Sequence, residues 1–272
     1  MTRICVLGNS HVASVKLGME GLALGVPSTE PPEVTVLGAP ADMTKSCVVR
    51  NGVLTTDDPR TQKSFAWTSG IGHSVRLQDF DCLFVLAGSS VFAPDTFWSP
   101  SVPPALFDVP FVSSAVAARV FEALYSDWGV ALARRIAEAG VVQVVHVGSP
   151  FVSEAAPFSR TVVAALDAAS AEAVGRLDRL KSRLHQKAAE VGSDHLTFMP
   201  PPPATLETHG VYTRHQYCRG SRKLSPDLET RHLEHDYVHM NGDYGRALIE
   251  ACKRFAEGSG TGQPLQGTGP LP

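Results

Sequence analysis

Two short stretches at opposite ends of the chain carry residues that could do chemistry together. Near the start, Ile4-Cys5-Val6-Leu7 runs into Gly8-Asn9-Ser10-His11, and near the end Asp236-Tyr237-Val238-His239 is followed by Met240 and Asn241. A serine hydroxyl is a poor nucleophile until a base takes its proton. An aspartate three residues before a histidine can fold back within one loop and accept the imidazole Nδ1–H. That leaves Nε2 free to act as the base. Taken alone, Ser10 is equally a residue before a helix, where Ser and Asn cap free backbone N–H groups. The pair at the far end is what offers Ser10 a partner.

The elements between must bring the two stretches to one place. Apolar runs at Ile4–Leu7, Val34–Leu37, Cys82–Leu86 and Val141–Val145, with a weaker one at Leu196–Met199, predict five strands. They are apolar throughout instead of alternating, as in strands covered on both faces of a parallel sheet. Helical patterns fall between them. Val12, Val15, Met19 and Leu22 share one face, and an alanine-rich stretch runs from Val116 to Ala139 with Ser113 or Ser114 as its cap. A longer pattern covers Val162 to Val191 and the last covers Tyr244 to Phe255. The alternation predicts a doubly wound α/β sandwich, whose ligands bind at the carboxyl edge of the sheet. Residues 1–257 are expected to form one domain and the Gly/Pro-rich residues 258–272 a disordered tail. The apolar, proline-rich segment Val91–Pro110 is expected to pack across the top of the sheet, and the long connection before the last helix to be functional or ordered by packing.

The two end stretches resemble the SGNH, or GDSL-type, hydrolases. That family begins with a strand and Gly-Asp-Ser, here Gly8-Asn9-Ser10. It ends with Asp-x-x-His-x-Asn-x-x-Gly or a close variant before a C-terminal helix, here Asp236, His239 and Asn241 followed by Asp243-Tyr244-Gly245, almost the full pattern. The resemblance spans roughly Arg3 to Phe255. It implies a flavodoxin-like, three-layer α/β/α sandwich around a five-stranded, mainly parallel sheet. It also implies Ser10 as nucleophile, His239 as general base and Asp236 as its orienting partner, with no cofactor. The substrate implied is a small-molecule or carbohydrate ester carrying a small acyl group, acetyl among them. The family adds oxyanion donors after the second and third strands. The matching positions are Gly38 or Ala41, and Gly88-Ser89, where Ser89 stands in place of an asparagine. A serine hydroxyl donates but is shorter and less rigid than a carboxamide, and one well-aimed donor is worth about 2.7–4 kcal/mol. This departure leaves two other readings open: an acyltransferase on the same fold, and a non-catalytic binding module.

Other chemistries are less well supplied. His232, His235, Asp236 and His239 crowd together, but their spacing is neither H-E-x-x-H nor H-x-x-E-H and no second cluster completes a metal site. Ser149-Pro150 after the fourth strand reads as a turn at the same sheet edge. Arg214, Arg219, Arg222 and Lys223 read as a solvated basic face. A net charge of −3 over 272 residues gives no basic field for nucleic acid. No apolar run reaches the roughly 18 residues of a membrane span. The five scattered cysteines form no C-x-x-C pair and read as buried reduced thiols, so a cytoplasmic location is expected.

Overall fold

Inside the sheet, next to one edge strand, lies β1 (Ile4–Gly8), hydrogen-bonded in parallel on both sides. One neighbour is β2 (Val34–Gly38), and the other is β6 (Cys82–Leu86). Beyond β6 come β7 (Gln143–His146) and β8 (Leu196–Phe198), giving the order β2-β1-β6-β7-β8 with every pairing parallel. Strand order reverses about β1, so the chain leaving β1 emerges at the topological switch point, where open α/β sheets bind ligands. The computed structural model describes residues 2–20, 33–92, 114–226 and 228–259.

Successive residues of a strand face opposite sides, and β1 shows the consequence. Ile4 and Val6 pack with Val12 and Val15 of α1 (Val12–Glu20) and with Tyr244, Leu248 and Cys252 of α7 (Gly242–Ser259). Cys5 and Leu7 face a second core, built by Phe65 of α2 (Pro59–Ser69), Val130 and Leu132 of α4 (Trp128–Ala137) and Leu180 and Leu184 of α6 (Ala171–Val191). Helices thus cover both faces of a five-stranded parallel sheet, the expected α/β architecture. Among the described residues no helix is long and apolar enough to cross a membrane. All five cysteines are free and buried.

Several boundaries differ from the sequence expectation. The helix expected over Val116–Ala139 is two, α3 (Ser114–Tyr125) and α4, because Asp127 leaves the helix and accepts the Gly129 N–H at 2.8 Å. The stretch Val162–Val191 is likewise split into α5 (Pro157–Asp167) and α6, where Ser170 accepts from Ala173 N–H at 3.2 Å. β7 starts at Gln143 and leaves Val141 exposed. The reading missed α2 and a three-stranded antiparallel sheet of β3 (Val48–Arg50), β4 (Val53–Thr55) and β5 (Val75–Arg76). Of the Val91–Pro110 segment only Val91 and Phe92 are described, and both are buried. The rest of that segment, Leu22, Ser113 and residues 260–272 of the tail lie outside the described residues.

The contact between α1 and α7 joins the two ends of the chain. A Cβ on Gly245 would lie 1.8 Å from Ser14 O, and one on Gly18 would lie 2.6 Å from Arg246 N. Both obstacles are backbone atoms, which cannot rotate aside. Alanine normally favours a helix over glycine by about 1 kcal/mol, but here the clash decides the sign. Gly245→Ala is expected to lose about 1–3 kcal/mol of stability, read as a lower denaturation midpoint.

His146 of β7 is fully buried, and its Nε2 donates to Ala87 O at 3.1 Å. Burial pushes its pKa from the ordinary 6.5 down to about 4. Between those values the unfolded chain binds a proton that the folded protein does not, so stability falls as pH drops from 6.5 towards 4. His146→Gln, which keeps an amide donor near that position and cannot titrate, is expected to show a shallower decline of the urea midpoint between pH 7 and pH 5.

Candidate active site

Ser10 sits in the turn between β1 and α1, and its neighbours take over the capping role. Asn9 Oδ1 accepts the His11 N–H at 3.1 Å, and Asn9 O accepts from Val12 N–H at 3.1 Å. The Ser10 hydroxyl faces His239 instead, with Oγ 3.0 Å from Nε2. The Ser10 N–H has no hydrogen-bond partner among the described residues.

The loop before α7 is held from several sides. Asn241 Oδ1 caps α7 by accepting from Asp243 N–H at 3.0 Å and Tyr244 N–H at 3.2 Å. Its amide donates to Gln216 O and Arg219 O, tying the helix start to the preceding connection. Tyr237 O accepts the Ser153 N–H at 2.8 Å. Within this frame Asp236 Oδ1 accepts the backbone N–H groups of Val238 and His239, at 3.0 and 2.9 Å. Its Oδ2 lies 2.8 Å from His239 Nδ1. Partial burial works to raise the Asp236 pKa, but the two backbone N–H groups and the His239 ring outweigh it and hold the carboxyl down at about 2. An ionised carboxylate only accepts, so His239 carries its proton on Nδ1 and presents a lone pair on Nε2 to Ser10.

Two further imidazoles flank His239. His11 stacks on it at a ring-centroid distance of 5.2 Å, and His232 at 3.9 Å. Burial, then the adjacent His239, push the His11 pKa down to about 3, so His11 is neutral at ordinary pH. The same two causes lower His232. His232, Asp236 and His239 bring one potential metal ligand each within 4.8 Å of one another. The His239 hydrogen bond to Asp236 and the stacking of His232 on the His239 ring account for that closeness. His235, grouped with them in sequence, is exposed.

A cavity of about 480 Å³ opens beside the serine turn and is lined by its neighbours Asn9 and His11, by Val238 next to His239, and by Gly88 and Ser89 after β6. Ser149 and Pro150 after β7 line it too, and the Ser149 N–H donates to Gly88 O at 2.7 Å. The Ser89 hydroxyl turns towards Asp127, with Oγ 3.3 Å from Oδ2. Gly88 has φ +69°, and a Cβ there would meet Asp127 Oδ1 at 1.9 Å, so this close approach admits only glycine. Gly38 and Ala41 do not line the cavity. The Gly38 N–H is donated to Thr68 Oγ1 of α2 at 3.0 Å, whereas Ala41 is exposed at φ +50° and its N–H has no partner among the described residues.

Asp127 and Trp128 were not singled out from sequence, and His232 was named only within the histidine cluster weighed as a metal site. Asp127 and Trp128 lie in "YSDWGV", where Ser126-Asp127 ahead of Trp128-Gly129 is a helix-start signal inside an apparently continuous pattern. The basic run is less free than its sequence suggests: Arg214 Nε donates to Leu206 O at 2.7 Å and Arg222 to Leu228 O at 3.0 Å, so both brace loop backbone.

No protein-family model and no curated protein matches the chain. It is similar to a solved structure described as the crystal structure of a carbohydrate acetylesterase family member from Sinorhizobium meliloti. The match has 15% identity and a TM-score of 0.32, and covers 95% of this chain and 100% of that one.

Proposed function

We propose that the protein is a serine hydrolase that cleaves an ester of a small acyl group, with Ser10, His239 and Asp236 as its triad. The observation that carries this reading is the run of contacts from Ser10 Oγ to His239 Nε2 at 3.0 Å and from His239 Nδ1 to Asp236 Oδ2 at 2.8 Å. Ser10 Oγ attacks the acyl carbon while His239 Nε2 takes its proton, giving a tetrahedral oxyanion and an imidazolium facing the Asp236 carboxylate. Collapse of that intermediate breaks the ester bond, and His239 returns the proton to the leaving alcohol. A water then attacks the acyl-Ser10 ester, giving its proton to His239, and the acid departs as Ser10 is re-formed.

The oxyanion needs donors that are not already engaged. The Ser10 N–H meets this requirement and, of the two positions after β2, the Ala41 amide does so in preference to Gly38. At Ser89 the hydroxyl is turned to Asp127, so a contribution to the oxyanion requires it to leave that carboxylate. A cavity of about 480 Å³ suits a small molecule, and its lining mixes apolar Trp128 and Phe151 with polar Asp127 and Ser149. That mixture suits the alcohol portion of a polyol or sugar ester.

A fluorophosphonate probe is expected to label the protein at Ser10, located by peptide mass spectrometry. Ser10→Ala is expected to abolish labelling and to lower aryl-acetate turnover by about a thousand-fold or more. An unlabelled wild type, or a Ser10→Ala variant with unchanged turnover, overturns the triad. Product analysis with and without a sugar acceptor then separates hydrolysis from acyl transfer, since only a transferase yields the acylated acceptor.

A further inference from the structure

Asp127 gives the cavity beside Ser10 its charge. Among the described residues that line this cavity the other side chains are uncharged, including Asn9, Ser89, Ser149 and His11, whose pKa is held down at about 3. No lysine or arginine is among them, and residues 21–32, 93–113 and 260–272 contain no lysine, arginine or histidine to bring one in. Lys45 lies over the Trp128 ring, 5.1 Å from its centroid, but it is paired with Asp42 at 3.0 Å and does not line the cavity. Close packing fixes the place of the carboxylate. A Cβ on Gly88 would meet Asp127 Oδ1 at 1.9 Å, and one on Gly129 would meet Ala87 O at 1.9 Å. The start of α4 therefore seats directly on the turn after β6.

The donors that Asp127 has are neutral. Oδ1 caps α4 by accepting the Gly129 N–H at 2.8 Å, and Oδ2 has the Ser89 hydroxyl at 3.3 Å, a long contact. A neutral Ser or Asn would cap the helix as well, so the cap does not require the charge. A carboxylate offers about four acceptor sites, and Oδ2 has capacity left. Negative charge in a cleft partly removed from water attracts a cation more strongly than it would in bulk solvent. We propose that this cavity selects an ester whose alcohol portion carries a protonated amine, with Asp127 Oδ2 accepting the ammonium N–H. The Ser89 hydroxyl, its proton turned to Oδ2, has lone pairs left for a second N–H. Trp128 and Phe151 supply apolar surface for the carbons around that group. The place of the amine rests on the serine-hydrolase reading, whose small acyl group leaves the alcohol to carry it. The charge of the cavity does not depend on that reading.

Three acetate esters of nearly the same shape test this at neutral pH. Dimethylaminoethyl acetate is protonated, isopentyl acetate is neutral and β-acetoxypropionate is an anion. The tertiary amine prevents migration of the acetyl group to nitrogen. The protonated ester is expected to exceed the neutral one in kcat/KM by about tenfold to a hundredfold, the worth of a hydrogen bond to a charged group. The anion is expected to fall below the neutral ester by about tenfold or more. Asp127→Asn keeps a side-chain oxygen to cap α4 and removes the charge, and it is expected to abolish most of the preference for the cation. Equal kcat/KM for the protonated and neutral esters in the wild type, or an unchanged ratio in Asp127→Asn, overturns the proposal. The wild-type comparison needs no variant, so misfolding of Asp127→Asn leaves the test intact.

Binding of the alcohol alone is a readout independent of catalysis. Protonated dimethylaminoethanol is expected to shift the amide resonances of Gly88, Trp128 and Gly129 in the wild type, and isopentyl alcohol to shift them less. No shift with dimethylaminoethanol overturns the amine site. Failure of the wild type to react with a fluorophosphonate would count against the hydrolase reading alone, since these resonances still decide whether a protonated amine binds at Asp127.

Discussion

The close crossing of α1 and α7 is the constraint on which the candidate site depends. Ser10 lies two residues before α1, and His239 three residues before α7, so any shift between these helices is a shift between the two side chains. The helices approach until the Cα of Gly245 faces Ser14 O and that of Gly18 faces the backbone of Gly245 and Arg246. Any side chain at either position would hold them apart. Gly245, four residues after Asn241, thus has a packing reason: it lets the helix after His239 seat directly on the helix after Ser10.

Given that crossing, local hydrogen bonds decide which atoms are left free. Asn9 satisfies the start of α1, which leaves the Ser10 hydroxyl for His239 and the Ser10 N–H without a partner. Two backbone N–H groups hold one Asp236 oxygen and keep the carboxylate ionised, which fixes the proton of His239 on Nδ1. The flanking imidazoles of His11 and His232 both have lowered pKa values. In both, burial and the neighbouring His239 favour the neutral ring over the cation.

The parallel sheet was legible because each buried strand is an unbroken apolar run, and β1, β2 and β6 match their expected spans to within a residue. Helix limits were less legible where the polar residue that ends one helix also starts the next. Asp127 and Ser170 each interrupt a pattern whose apolar spacing continues on both sides. α2 escaped notice because its buried face rests on Phe65 and the two threonines Thr61 and Thr68. Its signals were nevertheless present: Asp58 caps it, Pro59 opens it and Gly70 closes it in the left-handed conformation at φ +71°.

The sequence by itself determined which residues could form a nucleophile, a base and an orienting carboxylate, because an Asp three residues before a His is a local relation that one loop can satisfy. It also pointed to the sheet edge where Ser10 would stand. Only the tertiary structure decided which of the nearby polar groups are free. The Gly38 amide is consumed by Thr68, thirty residues away in sequence, and the Ser89 hydroxyl is turned to Asp127, thirty-eight residues from it. The approach of both His232 and His239 to one oxygen of Asp236 was equally hidden, although all three lie within eight residues. Two side chains meet on one oxygen only when the loop is folded against its neighbours, and side-chain spacing alone does not set that direction.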